Sequence, residues 1–187
     1  MNDEAIELGR RAAARLRLLP TQQFATGLTD AEFSRIEDEF GFGFADDHRA
    51  FLAAGLPVGS GFPNWRDGDR ETLRSQLAWP VDGTLFDVEH NAFWHDTWGG
   101  RPTDLAEALT IARERLADVP VMVPVYVHRY LPAGRGTYGH PVLSMYQTDI
   151  IYYGSDLADY IGNEFAGADH VRTPPVATVE FWREFLD

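Results

Sequence analysis

The chain has 187 residues, which predicts one domain or one domain with a short appendage. It contains no cysteine, which excludes disulfides, thiolate metal sites and cysteine nucleophiles. Its net charge of −13, with 29 carboxylates, 16 arginines and no lysine, argues against nucleic-acid binding and favours encounter with a basic partner, although solubility alone would also explain it.

The first predicted element is a mixed stretch of apolar residues and arginines over residues 4–19, with no continuous apolar run. This pattern predicts an amphipathic helix rather than a signal peptide or a membrane span. We therefore treat residues 1–20 as a helical extension of a single domain that covers residues 1–187. We expect a soluble, cytoplasmic protein.

Two helices follow with clear end signals. Thr29 and Glu32 have the spacing of a capping box, and Gly41 provides the stop for the helix that they begin. Asp46 is predicted to cap a second, shorter helix, and Gly55 lies just beyond its end. Both helices carry apolar residues at helical spacing.

The middle of the chain is less regular. A third helix is predicted over residues 69–77, and the pair Trp79-Pro80 is predicted to end it, because proline disfavours helical backbone in the residue before it. Residues 84–98 carry strand-forming residues without clean alternation, so they predict two short strands or an extended aromatic loop. Thr103 is predicted to cap the helix that comes next.

Strand signals dominate the following region. Residues 121–130 predict one strand, and residues 142–146 and 149–153 predict an antiparallel hairpin. Ser155 is then predicted to cap a helix, and a last short helix is predicted to start at Thr178. Because helices and strands are grouped rather than alternating, the fold class is predicted to be α+β.

One segment matches the sequence pattern of a dinucleotide-binding loop. Residues 134–139 read G-x-G-x-x-G after a predicted strand, but a dinucleotide fingerprint needs that turn to open a helix. Pro141 and a strand-forming run follow instead, so we predict a flexible loop and no bound cofactor. No phosphate-binding G-x-x-x-x-G-K motif and no G-x-S-x-G hydrolase motif is present in the sequence.

The histidines give an alternative reading. His90 and His95 lie among carboxylates, and His128 and His140 lie in the predicted β region, so folding could assemble a zinc site from some of them. The spacing of His90 and His95 matches no helical pair of ligands. We therefore predict surface or hydrogen-bonded histidines and no metal.

The predicted strand over residues 121–130 would place three ring side chains on one face. Tyr126, His128 and Tyr130 alternate along it, so they could line a ligand pocket, with Arg129 as an anion clamp. The same pattern is typical of a half-buried sheet surface whose polar tips reach water. Both readings stay open.

Tryptophans in or beside predicted loops are the strongest indication of binding. Four of them are flanked by carboxylates, namely Trp65, Trp79, Trp94 and Trp98. Exposed aromatic residues with a charged rim are typical of a protein-binding hot spot, although such tryptophans could also cover the core beneath long loops. The residues predicted to contact a partner are Trp65, Asp67, Asp69, Trp94, His95, Asp96, Trp98, His128 and Arg129.

Two stretches resemble a known family. GLTDAEFSRIEDEFGFGFADDHRAFLAAGLP resembles the N-terminal helices of the SUKH superfamily, a group of yeast cell-wall-synthesis regulators and bacterial immunity proteins. PVYVHRYLPAGRGTYGHPVLSMYQTDIIYYGSDLADYIGNEF resembles the strand hairpin and following helix of its actinobacterial members. The resemblance implies helices packed on a central, mostly antiparallel sheet. It carries over no functional residue.

The resemblance also implies a non-enzymatic role. Many bacterial members are immunity proteins that bind and neutralise toxin domains, often nucleases, and an acidic inhibitor would suit a basic toxin. We therefore expect an immunity-type protein-binding module. The alternatives are a housekeeping regulatory scaffold and an enzyme that uses a small molecule or a metal at His90, His95 and His128. Oligomeric state is not predicted.

Overall fold

Six α-helices and two antiparallel sheets form the described part of the chain, which comprises residues 2–167, 175–176 and 178–186 of a computed structural model. The fold is therefore α+β, as predicted. The helices are α1 (Asp3–Arg17), α2 (Asp30–Phe40), α3 (Asp46–Ala54), α4 (Arg70–His90), α5 (Leu105–Leu116) and α6 (Leu157–Phe165). The strands are β1 (Gln23–Ala25), β2 (Leu56–Val58), β3 (Met122–Tyr126), β4 (Arg129–Pro132), β5 (Val142–Tyr146) and β6 (Asp149–Gly154).

The N-terminal helices follow their local signals. The predicted helix over residues 4–19 is α1, which packs along α3 and α6 and buries Ala5, Ala12 and Leu16. The predicted capping box begins α2, because the Thr29 hydroxyl accepts from the Glu32 N–H and the Glu32 carboxylate accepts from the Thr29 N–H. These contacts lie within one turn, so the sequence alone predicts them.

Helix α3 begins differently from the prediction. Asp46 lies inside the helix, and Ala45 takes the cap position without a side-chain hydrogen bond, so the prediction that Asp46 caps α3 is wrong. The Asp46 carboxylate accepts from the Gly136 N–H at 3.0 Å, and the Asp47 carboxylate accepts from the Gly139 N–H at 2.9 Å. The loop of the G-x-G-x-x-G motif thus holds carboxylates of this chain.

Helix α4 continues through Pro80, so the prediction that Trp79-Pro80 ends the helix is wrong. Because proline has no N–H, the Gln76 carbonyl four residues earlier loses its helical donor. The Tyr130 hydroxyl, from β4, donates to this carbonyl at 2.9 Å. A side chain from the sheet therefore supplies the hydrogen bond that the proline removes.

Because α4 continues beyond Pro80, the secondary structure of residues 84–98 also differs from the prediction. Residues 84–90 are helical, residues 91–95 form a loop, and Asp96–Trp98 is a single 3₁₀ turn. All of these residues are described and none lies in a strand, so the prediction of two strands is wrong, and the extended loop is limited to residues 91–95. The added helical turns bury Val88 against α5, beside Ala112 and Leu116.

Four strands form the larger sheet in the order β3-β4-β5-β6, and the predicted hairpin is β5–β6. The prediction of one strand over residues 121–130 is wrong, because the chain turns at Val127, whose φ is +46°. The Val127 N–H donates to the Gly61 carbonyl at 2.8 Å, which holds this turn. Tyr126 and Tyr130 therefore lie on different strands and do not share one strand face with His128.

Three helical segments also begin at residues other than those predicted. Asp104 rather than Thr103 caps α5, and Asp156 rather than Ser155 caps α6, because a carboxylate at each of these positions accepts from the N–H three residues later. The helix predicted from Thr178 is only a 3₁₀ turn, Trp182–Phe185. Strands β1 and β2 pair with each other and are too short, at three residues each, for a sequence pattern to predict them.

The two faces of the larger sheet contribute to different apolar clusters. Val123 and Val125 pack into the main core with the helices α1, α2, α3 and α6, whereas Met122 packs into a second cluster that includes Trp182. This division follows from the alternation of side chains along a strand. None of the described helices is long and apolar enough to cross a membrane.

A histidine is buried in the main core. His48 on α3 is 1% exposed and packs edge-on against Phe44, and its Nδ1 has no hydrogen-bond partner among the described residues. Burial lowers the pKa of His48 from 6.5 to about 3. The folded protein therefore keeps this imidazole neutral across the pH range in which an unfolded chain would protonate it.

We expect Tyr130→Phe to lower the free energy of unfolding by about 1 kcal/mol, because it removes the donor of the partly buried Gln76 carbonyl. Urea unfolding monitored by circular dichroism would measure the loss. Tyr146→Phe is the matched control, since that side chain is exposed, and it should leave stability unchanged. Equal stability of Tyr130→Phe and the parent chain would contradict this account of α4.

We expect His48 to make stability fall as the pH is lowered from 6.5 towards 3. Its folded pKa is depressed, so its contribution is complete above pH 6.5 and is lost on acidification, at up to about 1.4 kcal/mol per pH unit. The variant His48→Leu should lose this component when unfolding is measured at several pH values. Burial raises the pKa of the neighbouring Asp47, which acts in the opposite sense, and comparison of the two proteins cancels it. Parallel pH profiles would contradict the prediction.

Candidate functional site

A cleft of about 580 Å³ lies where α4 meets the turns of the larger sheet. One wall is α4, and the other walls are the β3–β4 turn, the end of β5 and the loop around Gly61. The lining residues are Ser60, Gly61, Thr72, Ser75, Gln76, Trp79, Val127, His128, Tyr130 and Tyr146. The volume is in the range of small-ligand and side-chain pockets.

Apolar side chains are unusually exposed around this cleft. Trp79, Val127 and Tyr146 are 45%, 49% and 55% exposed, respectively. The Trp79 and Tyr146 ring centroids are 6.3 Å apart at an interplanar angle of 57°, and the His128 ring lies 6.2 Å from Tyr146. An exposed cluster of this kind, unlike a single exposed apolar residue, is typical of an interaction site.

A close approach between α4 and the β5–β6 turn brings Tyr146 to Trp79. A Cβ atom on Gly83 would lie 2.9 Å from the Gln147 Cα, so only glycine permits this approach without a shift of the backbone. The buried Asp87 carboxylate, one turn further along α4, accepts from the Thr148 N–H at 2.9 Å and from the Thr148 hydroxyl at 2.6 Å. Glycine thus allows the contact and the carboxylate fixes it.

Further hydrogen bonds hold the cleft in one shape. The Trp79 indole N–H donates to the Met145 carbonyl at 3.2 Å, which fixes the ring edge while leaving much of its surface exposed. On the opposite wall, Gly61 packs so closely on the β3–β4 turn that a Cβ there would overlap the Tyr126 ring. A site whose side chains are held in place loses less conformational entropy when it binds a partner.

The titratable groups in the cleft favour uncharged forms. Burial lowers the pKa of the half-buried His128, the neighbouring Arg129 charge lowers it further, and Glu164 opposes these effects. Burial also raises the pKa of Tyr130. At neutral pH the cleft therefore presents a neutral imidazole, a neutral phenol and the ring surfaces of Trp79 and Tyr146.

The structure separates the predicted contact residues. Trp65 is 0% exposed and packs against Phe42 and Phe44 in the main core, so its predicted exposure is wrong. Asp67 and Asp69 are exposed nearby, and Asp69 caps α4 by accepting from the Thr72 N–H. Trp65 is a core residue that lies beneath a loop. Local sequence does not distinguish such a tryptophan from one at the surface.

Two of the contact residues predicted at 94–98 are buried against C-terminal residues of the chain. Trp98 stacks on Phe181 and is buried, so its predicted exposure is wrong. His95 is buried as well, and its Nε2 lies 3.2 Å from the Glu184 carboxylate. Trp94 is half-buried and Asp96 remains exposed. Aromatic contacts within the chain therefore occupy most of this predicted surface.

Arg129 has partners inside the protein. Its guanidinium donates to the Glu164 carboxylate at 2.9 Å and to the Ser144 hydroxyl at 3.0 Å, and it lies over the Tyr153 ring. Arg129 is thus buried in an ion pair, which does not fit the possible role as an anion clamp or the predicted contact with a partner. His128, its neighbour in sequence, does line the cleft.

The remaining histidines have separate surroundings. His90 stacks on Phe86 at the end of α4, His95 lies among C-terminal aromatic residues, and the His140 Nδ1 is 2.8 Å from the Thr178 hydroxyl. Within residues 2–167, 175–176 and 178–186, no group of three histidine, aspartate or glutamate side chains could hold a metal ion.

Sequence reasoning found only part of the cleft. The sequence predicts His128 as a contact residue and Trp79 as a tryptophan beside a loop. It contains no signal that indicates Val127 or Tyr146. The proximity of Trp79 and Tyr146 depends on a helix that continues through Pro80 and on the turn that docks at Gly83. No short-range signal predicts a contact between residues so far apart in sequence.

We expect Asp87→Asn to loosen the β5–β6 turn, because the Asp87 carboxylate accepts from Thr148 at one oxygen and from the Asn91 side chain at the other, whereas an amide can accept at only one of these positions. Stability should fall by about 2 kcal/mol, within the range for hydrogen bonds to charged groups, and exchange of the Thr148 amide should quicken. Hydrogen exchange measured by NMR would test this. Asp82→Asn, at an exposed position of the same helix, is the control. Unchanged Thr148 exchange would contradict the assigned role of Asp87.

Comparison of the chain with protein-family models, curated proteins and solved structures finds no match.

Proposed function

We propose that this chain is a protein-binding module and that the cleft between α4 and the β5–β6 turn receives a segment of another protein. The observation that carries the proposal is the exposed group of Trp79, Val127 and Tyr146 around a cleft of about 580 Å³. Aromatic anchors of this type are enriched at binding hot spots.

The chemistry of the lining favours binding over catalysis. The described lining residues include hydroxyls, one amide and one imidazole but no carboxylate or guanidinium group. Acid–base catalysis ordinarily pairs a positioned base with a group that orients it. His128 has no such partner in the lining, whereas the fixed rings around it suit the recognition of a side chain.

We further propose that the module acts in the cytoplasm as an immunity-type protein that neutralises a toxin domain. This role is supported by the resemblance of residues 27–57 and 124–165 to the SUKH superfamily and by the net charge of −13, which favours a basic partner. A housekeeping scaffold would use the same cleft with an endogenous partner. The identity of the partner distinguishes these two roles.

A pair of charge-introducing variants tests the proposed binding site. Val127→Arg places a cation in the cleft that repels a basic partner and occupies its site, at a residue whose positive φ an unbranched side chain tolerates better than valine. Val121→Arg is the matched control, because Val121 is an exposed valine, at 43%, outside the cleft lining. Products of neighbouring genes and proteins retained from the host would be purified and titrated against each variant by calorimetry.

We expect a stoichiometric partner to bind the parent chain and Val121→Arg equally and to bind Val127→Arg at least about tenfold more weakly, the loss typical of a disrupted hot spot. A partner that binds all three proteins equally would contradict the assigned site. If the partner is a toxin, co-expression of the parent chain should restore growth and co-expression of Val127→Arg should not.

A further inference from the structure

We propose that the cleft recognises an arginine side chain of the partner, held on the ring surfaces of Trp79 and Tyr146. This inference rests on the proposed function and adds the chemical class of the anchor residue. It follows from the rings, from two carboxylates beside them, and from the absence of a competing cation in the described lining.

The two rings form the floor of a cation site. Their centroids are 6.3 Å apart and both side chains are about half exposed, so a guanidinium group in the cleft could lie within about 6 Å of each ring. Tryptophan and tyrosine are the strongest aromatic partners for a cation. The bond from the Trp79 indole N–H to Met145 holds the larger ring in place before binding.

Each ring has an exposed carboxylate as a neighbour. Asp82 follows Trp79 by three residues on α4, which places both on the same side of the helix. Asp149 is the cross-strand partner of Tyr146 in the β5–β6 hairpin, so their side chains lie on the same face of the sheet. Neither carboxylate forms an ion pair or side-chain hydrogen bond with a described residue, so both are available to a cation.

The nearby cations of the chain are engaged elsewhere. Arg129 is buried in its ion pair with Glu164, and the Arg74 guanidinium lies over Phe40 near the Glu39 carboxylate. His128 is neutral at neutral pH because burial and Arg129 lower its pKa. The cleft therefore combines an uncharged described lining with two carboxylates beside its aromatic rings, which is complementary to a positive side chain.

One hydrogen-bond acceptor favours arginine over lysine. The Gln76 side-chain oxygen is buried at the cleft wall and has no partner among the described residues. A planar guanidinium can stack on a ring and donate at the same time, whereas an ammonium is compact and strongly hydrated.

Selection from a random peptide library displayed on phage tests the inference without knowledge of the natural partner. Peptides would be selected on the parent chain and counter-selected on Val127→Arg, so that only cleft-dependent sequences are enriched. The enriched peptide would then be synthesised in three forms, with arginine, lysine or the neutral isostere citrulline at the shared position. Calorimetry at low and high salt would give the dissociation constants.

We expect enriched peptides to share an arginine with apolar neighbours, and citrulline to weaken binding by about 2- to 30-fold, the range of a cation–π contact. Lysine should be intermediate. The double variant Asp82→Asn/Asp149→Asn should weaken binding by about 2- to 5-fold and reduce its salt dependence. The matched control Asp96→Asn/Asp118→Asn changes the net charge equally at exposed positions outside the lining and should have little effect.

The outcomes separate this inference from the proposed function. Cleft-dependent peptides that tolerate citrulline would overturn the arginine anchor and leave the proposed binding site standing. Failure to enrich any peptide that distinguishes the parent chain from Val127→Arg would count against both. Self-association that Val127→Arg abolishes, without arginine-dependent peptide binding, would identify a second copy as the occupant and would overturn the inference.

Discussion

The hydrogen bond from the Tyr130 hydroxyl to the Gln76 carbonyl is the interaction on which the described architecture of the cleft depends. It satisfies the carbonyl that Pro80 leaves without a donor, and so allows α4 to extend to His90. Without that extension, Gly83 and Asp87 would not lie against the β5–β6 turn. This contact, together with the hydrogen bonds of Trp79 to Met145 and of Thr148 to Asp87, joins the two walls of the cleft.

The cleft combines rigidity with exposed apolar surface. Apolar side chains are held at the surface, although their burial would be more favourable. They are held by close packing at Gly83, by the two hydrogen bonds to Asp87 and by the hydrogen bond from the Trp79 indole. Exposed aromatic rings make the free protein less stable than it would be with these rings buried. Binding of a partner would bury the rings without a further loss of side-chain conformational entropy, because they are already fixed. This combination, together with the adjacent carboxylates, is why we propose that the site binds a partner.

The sequence predicted those features that local interactions decide. The capping box at Thr29 and the β5–β6 hairpin are correct because their donors and acceptors lie within a few residues of each other. The predicted end of α4 at Pro80 and the predicted continuous strand over residues 121–130 are wrong. The residues that decide these features, Tyr130 and Gly61, are about fifty or more residues distant in sequence. Whether a tryptophan is buried or exposed likewise depends on tertiary packing, so sequence did not distinguish Trp65 from Trp79.

Mapping of a bound peptide by NMR chemical shifts tests the central claim most directly. A peptide selected on the parent chain would be titrated into isotope-labelled protein, and the perturbed backbone and indole N–H signals would be assigned. We predict that the largest shifts fall on Gly61, Gln76, Trp79, His128 and Tyr146. Shifts concentrated instead at residues 94–98 or in the loop over residues 134–139 would contradict the assignment of the cleft as the binding site.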